Sequence, residues 1–360
     1  MELLKNNKRS KIKMMGISIV VINILFSIVS MVIVMIVYNN QFPRFERHDM
    51  SVSAGLMYED LQDTYPRDLV TFASGDNQLQ GYVYGEINDQ GLVVVAHGIG
   101  GGADSYLPQI TYFVDQGWRV FAYDSMGSFD SEGKSTKGFP QALLDIKAAL
   151  DYITTQEKYT SLPIVLFGHS WGGYAVSNAL HFDYDIAGVV SVAGANSPME
   201  MIIEQGHRMM GAFIYVQYPY LWLYQKLLFF EVASLSAVDA VNQSETPVLI
   251  IHGEKDEMVE YEGSSIISHM SEMTNPNAIS ITMSEPGRNN HNDLFRSDDS
   301  IKYIDKINAE YRKLYQEHNQ KIPYTIKQDF YTTIDRSLAQ DLNGELMDTI
   351  NEFFLESIDR

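Results

Sequence analysis

LFGHSWGGYA, residues 166–175, sets Ser170 between Gly168 and Gly172 directly after the apolar run PIVLF. A lone Gly-x-Ser-x-Gly is common by chance, so the rest of the chain must decide whether Ser170 is an activated nucleophile or a polar turn residue. A sharp strand-to-helix turn would force the serine into a strained backbone conformation. Glycine two residues to either side, Gly168 and Gly172, would leave room for strand and helix to approach.

The pattern around this turn is regular. Apolar runs of five to eight residues recur at 69–73, 79–85, 92–97, 119–124, 163–168, 187–194, 247–253 and 278–283. Several are continuous and β-branched, as strands covered on both faces must be. Helical stretches separate them, such as 140–153, where Leu143, Ile146, Leu150 and Ile153 share one face. Strand–helix alternation over this length predicts an α/β fold with a mostly parallel sheet and helices on both faces. Ser170 then lies beyond the carboxyl end of a strand, where such sheets bind ligands.

A serine hydroxyl needs a base, and the base an orienting carboxylate. Of nine histidines, His291 in EPGRNNHND follows the last predicted strand and reaches the same sheet edge. His169 is next to the serine and points away from it, and His97 reads as a structural hydrogen-bonder. Asp256, just past the strand PVLIIHG, is the expected orienting acid, with Glu254, Glu257 or Asp293 as substitutes. Chain order is then Ser170, Asp256, His291. Oxyanion donors are expected at the Ile99 amide, in HGIGGG after the third strand, and at the Trp171 amide.

Composition narrows the alternatives. The chain has 360 residues, no cysteine and a formal net charge of −20. Cysteine nucleophiles, disulfides and iron–sulfur clusters are excluded, and nucleic acid is disfavoured as a partner. Residues 1–13 carry five cations against Glu2, and residues 14–38 carry no charge at all. The remainder holds 21 basic against 45 acidic residues, a net of −24. Twenty-five helical residues extend about 37 Å, enough to cross a bilayer. The expected organisation is a cytoplasmic basic segment (1–13), a transmembrane anchor (14–38), a polar linker (39–68) with a short helix near 54–62, and an extracytoplasmic domain (69–360). Residues 196–244 interrupt the alternation with four methionines and eight aromatics, and read as a helical lid insertion suited to an acyl group. Residues 302–360 are expected to be helical and to close the sheet's edge.

Two cofactor readings compete. GIGGGA at 98–103, with Asp124 ending the next strand, fits a dinucleotide fingerprint, but in the third strand rather than the first. GSFDSEGKS fails phosphate-loop spacing, with five residues between Gly127 and Gly133 instead of four. No cofactor or metal is expected.

Taken in order, HGIGG, YDSMGSFDSEGKS, GHSWGG, HGEKDEMV and NNHND resemble the α/β-hydrolase superfamily over about residues 69–300. The resemblance is to the bacterial serine-hydrolase branch akin to monoacylglycerol lipases and serine aminopeptidases. It implies an eight-stranded sheet, a lid after the sixth strand and no cofactor. One departure stands out: the family's Arg-Gly-x-Gly-x-Ser after the fourth strand is here Ser125-Met126-Gly127-Ser128-Phe129, without the cation. The expected activity is ester hydrolysis, carboxylesterase-like or lipase-like, through an acyl-enzyme at Ser170. An amide-cleaving peptidase and a non-catalytic scaffold of the same fold are the alternatives.

Overall fold

The computed structural model describes residues 2–360, with side chains from residue 11 onward. Eight strands form one sheet: β1 (Arg67–Ser74), β2 (Asn77–Tyr84), β3 (Leu92–Ala96), β4 (Arg119–Tyr123), β5 (Ile164–His169), β6 (Ile186–Val192), β7 (Val248–Gly253) and β8 (Ala278–Met283). Their spatial order is β1-β2-β4-β3-β5-β6-β7-β8. The β1–β2 and β2–β4 pairs are antiparallel, and every other pair is parallel. All eight predicted strands are present. β3, β5 and β7 are buried at every residue, whereas the edge strands β1 and β8 mix exposed and covered positions.

The helices are α1 (Glu2–Gln41), α2 (Leu107–Asp115), α3 (Gln141–Thr155), α4 (Trp171–Asn178), α5 (Pro198–Met210), α6 (Ile214–Phe229), α7 (Ala237–Asn242), α8 (Asp298–Glu317), α9 (Tyr324–Thr332), α10 (Arg336–Ala339) and α11 (Gly344–Ile358). Side chains of α3, α4 and α7 fill the core on one face of the sheet, and those of α2 and α11 fill it on the other. The last helix therefore does not close an edge, as its charge had suggested. Its buried residues Met347, Ile350 and Phe354 share one face and pack with Phe113 and Trp118, while Trp118 Nε1 donates to Asn351 Oδ1 at 2.8 Å. The charged residues of α11 lie on the outward side of an amphipathic helix.

The segment after α1 is irregular, with short 3₁₀ turns at Met50–Val52 and Tyr58–Asp60, but it is docked along its length. Arg44 donates to the carbonyls of Phe129, Ser131 and Gly133 at 2.6–3.0 Å, and Arg47 pairs with Asp104 and Asp130 at 2.5 and 2.7 Å. The loop after β4, which has Ser125 rather than an arginine next to Asp124, is thus held by two arginines from the N-terminal segment.

The sharpest steric constraint lies between β3 and α4. A Cβ on Gly172 would sit 2.0 Å from the Ala96 carbonyl oxygen, and one on Gly168 would sit 2.3 Å from the Gly172 carbonyl. Gly344, in the first turn of α11, has nothing within 4 Å. Gly172→Ala is expected to lower folding stability by about 3 kcal/mol, since backbone rather than a flexible side chain must yield. Gly344→Ala should be neutral or stabilising by up to about 1 kcal/mol. Denaturant midpoints of the detergent-solubilised chain compare the two, and an unperturbed Gly172→Ala variant would show that α4 does not approach β3 this closely.

Candidate active site

Ser170 caps the N-terminus of α4 with φ 57° and ψ −115°, a conformation that L-residues rarely adopt. It is held there by its amide donating to Val192 O at 2.8 Å and by the Tyr174 amide donating to Ser170 O at 3.0 Å. The hydroxyl projects beyond the ends of β3 and β5. Ser170 Oγ donates to His291 Nε2 at 2.8 Å, and His291 Nδ1–H donates to Asp256 Oδ2 at 2.7 Å. Residues from three distant loops thus form one continuous relay. The substitutes named for Asp256 are not in it: Asp293 instead accepts from Asn290 and pairs with Arg296.

The HGIGGG loop lies against the serine, for a Cβ on Gly98 would be 3.4 Å from Ser170 Cβ. The Ile99 amide donates to no protein group among the described residues. The Trp171 amide opens α4, where no intrahelical acceptor exists, and its indole Nε1 is occupied by Phe139 O at 2.7 Å. Both backbone donors are thus unengaged among the described residues.

Ser170 and His291 open into a cavity of about 320 Å³. Its wall includes Ile99, Gln109, Met258, Arg296, Gln340 and Leu342, and no residue of the 196–244 insertion. No carboxylate lines it. Asp124, the acid of the dinucleotide reading, is fully buried. It accepts from the Ala103 and Asp130 amides and from the Tyr82 hydroxyl, and so is not available to a ribose.

Comparisons with known proteins agree with this architecture. Residues 88–234 match the family model "Serine aminopeptidase, S33", a span that includes Ser170 and ends before Asp256 and His291. The chain superposes on the esterase Pf2001 of Pyrococcus furiosus with a TM-score of 0.50, at 18% identity, covering 73% of this chain and 92% of that one. A second crystal form of the same esterase gives 0.50 at 20% identity, covering 67% and 89%. The fold is that of the α/β-hydrolases. The chain is also similar to the quorum-quenching protein AidA of Acinetobacter baumannii, 31% identical over 132 residues. That match takes in 34% of this chain and spans only 42% of the relative's length.

Two further histidines surround the relay. Asp256 accepts four hydrogen bonds: the Met258 and Val259 amides at Oδ1 (2.8 and 2.9 Å), and His291 and His252 at Oδ2. His252 Nε2–H is shared between Asp256 Oδ2 at 3.1 Å and Val259 O at 2.9 Å. Burial alone would raise the Asp256 pKa, but the hydrogen bonds from His252 and His291, the His291 charge and the Val259 amide outweigh it. The carboxyl is held well below its usual range. The spacing of His252, four residues before Asp256 on the strand's exit, was the available signal for this contact.

His169 turns away from Ser170 Oγ, as its place in the turn implied, but it is not idle. His169 Nε2–H donates to the backbone carbonyl of His291 at 2.8 Å. Its Nδ1 accepts from the Tyr106 hydroxyl at 2.7 Å, and that oxygen accepts the Gly98 amide at 3.0 Å. One buried chain thus ties the loop after β3, the elbow and the histidine loop together. Burial, followed by the nearby His291, pushes the His169 pKa down to about 3.

A pH test follows from that neutral imidazole. Unfolded His169 takes a proton near its ordinary value of 6.5, and the folded residue does not until about 3. Its contribution to stability is therefore full above 6.5 and is lost as pH falls from there towards 3. The stability difference between the parent and His169→Gln should shrink below pH 6.5 by up to about 1.4 kcal/mol per pH unit. Urea melts of both proteins at pH 7.5, 6 and 5 measure it, and a pH-independent difference would contradict a buried neutral His169.

Proposed function

We propose that this chain cleaves small carboxylic esters through an acyl-enzyme on Ser170. The observation that carries the reading is the relay from Ser170 to His291 to Asp256, at 2.8 and 2.7 Å. In this mechanism Ser170 Oγ attacks the ester carbonyl carbon while His291 Nε2 takes its proton. The Ile99 and Trp171 amides donate to the developing oxyanion. Collapse breaks the bond to the alcohol oxygen, which leaves with the proton from His291. Water, deprotonated by the same imidazole, then attacks the acyl carbon and releases the acid and free Ser170. Asp256, ionised and hydrogen-bonded, fixes the imidazole tautomer and stabilises the imidazolium.

The cavity guides the substrate class. At about 320 Å³ it is at the small end for ligand sites. The aromatic-rich insertion gives it no wall, which favours a short acyl group over a long lipid chain. The family model's name raises aminopeptidase activity as a second reading. An aminopeptidase must hold a substrate ammonium, and the wall offers Arg296 but no carboxylate. That argues for an ester.

The uncharged stretch of α1, residues 14–38, is proposed as a membrane anchor. Residues Lys11–Gln41 are long and apolar enough to cross a membrane, with a mean hydropathy of 3.0 over the most apolar 18-residue window. The five cations before residue 14 support a cytoplasmic N-terminus and an extracytoplasmic catalytic domain.

A fluorophosphonate probe should label Ser170, and a folded chain that takes no label would instead indicate a scaffold. Against p-nitrophenyl esters of rising chain length, short acyl groups should turn over fastest and aminoacyl-nitroanilides barely at all. Ser170→Ala should lower kcat on the order of 10⁶-fold and Asp256→Asn about 10⁴-fold, both with unchanged folding. Near-normal turnover in Ser170→Ala would refute the assignment.

A further inference from the structure

The insertion between β6 and β7 is two unlike helices. The sequence of α5 carries Glu200, Glu204, His207 and Arg208, and its polar side chains engage the loop after Asp256. Gln205 Nε2 donates to Met258 O at 2.8 Å, Arg208 pairs with Glu260 at 2.8 Å, and Glu204 accepts the Ser264 amide at 2.8 Å. Its partner α6, IYVQYPYLWLYQKLLF, has Lys226 as its single charge. Its two glutamines, Gln217 and Gln225, are buried, and its exposed face is apolar and aromatic. A helix of that kind belongs in a core or in lipid, yet Phe213 and Phe230 at its ends, and Val216, Trp222, Leu223 and Leu227 within it, are exposed.

The neighbour of α6 is the apolar N-terminal helix. Ser30, Val34 and Tyr38, one stripe of α1 at four-residue spacing, are buried while most of its circumference is exposed. Tyr220 and Ser27 share a hydroxyl–hydroxyl hydrogen bond of 3.0 Å beneath an edge contact between Phe26 and Tyr220. Tyr224 donates to Asn39 Oδ1 at 3.0 Å and meets the Tyr38 ring edge-on. Ser27 lies eleven residues before Tyr38, the last residue before the polar Asn39 and Asn40, or about 17 Å along the helix. That is roughly the depth of one leaflet.

We infer that α6 is a second lipid contact, an interfacial helix whose exposed apolar face is sunk in the bilayer leaflet beside α1. The inference rests on the proposal that α1 is a membrane anchor. At 16 residues, about 24 Å, α6 is too short to cross. Its tyrosines and tryptophan are the residue types that settle at the membrane–water interface. A bilayer around α1 necessarily meets whatever is packed on its flank, and that flank carries no charge to repel it except Lys226, near Glu231 at the helix end.

The chain contains a reporter. Of its three tryptophans, Trp118 and Trp171 are 0% and 1% exposed inside the domain, and Trp222 is 44% exposed. The full chain is reconstituted into phosphatidylcholine–phosphatidylglycerol vesicles carrying bromine near the carbonyl end or near the methyl end of the acyl chains. Trp222 fluorescence should be quenched, most strongly by the shallow bromine, and should resist aqueous acrylamide. Trp222→Phe should lose that quenching while keeping probe labelling of Ser170. Quenching that persists in Trp222→Phe, or Trp222 open to acrylamide and blind to bromolipid, overturns the inference. So does a Trp222 shielded from both quenchers, which would mean that a second copy of the chain covers α6. If alkaline carbonate strips the chain from the vesicles, the anchor reading itself fails and takes the inference with it. Retention on the vesicles without bromolipid quenching removes only the inference.

Discussion

Between β3 and the first turn of α4 there is no space for a β-carbon, because Gly172 rests on the carbonyl of Ala96. That contact brings the N-terminus of α4 over the ends of two parallel strands. It fixes Ser170 at a positive φ, a strain of about 1–3 kcal/mol, which the bonds to Val192 and Tyr174 hold in place. It also sets the Trp171 amide and the loop carrying Ile99 on either side of one hydroxyl. Loosening the glycine contact would lower the strain and separate the donors, so the geometry that costs stability is the same geometry that can orient a reacting carbonyl.

The charges around the hydroxyl follow opposite rules at short range. Asp256 is buried and ionised, which is tolerable only because four donors satisfy it. His169 and His97 are buried and neutral, each with a defined tautomer. His97 donates from Nδ1 to Gly98 O and accepts the Ser125 amide at Nε2. Burial pushes its pKa down to about 4. Only His291 is left with one nitrogen on an anion and the other on a hydroxyl, the position from which a proton can move in either direction.

Strand positions were legible because buried parallel strands must be continuously apolar, and turn residues bracket each run. Ser170, Asp256 and His291 were legible because each follows a strand, and strand ends share one edge of the sheet. Contacts between residues distant in sequence left weaker traces. Arg44 and Arg47 sit in a polar stretch that reads as linker, and nothing local shows that they hold the loop after β4. Tyr106 and His169 meet only because two loops converge. The last helix was misplaced because charge on one side of an amphipathic helix hides the buried stripe of Met347, Ile350 and Phe354.

The insertion shows where composition stops being informative. A lid over an acyl chain and a helix against lipid both need methionine and aromatic side chains, so only the neighbours distinguish them. The cavity beside Ser170 draws its wall from other loops. The neighbour of α6 is α1, and that of α5 is the loop following Asp256. The two helices therefore join the N-terminal helix to the loop that holds the acid of the relay, while Arg44 and Arg47 fasten the intervening segment to the opposite side of the site. A domain attached at both places cannot swing freely on a flexible tether. The contacts of α5 fall on the loop that also supplies Asp256 with the Met258 and Val259 amides.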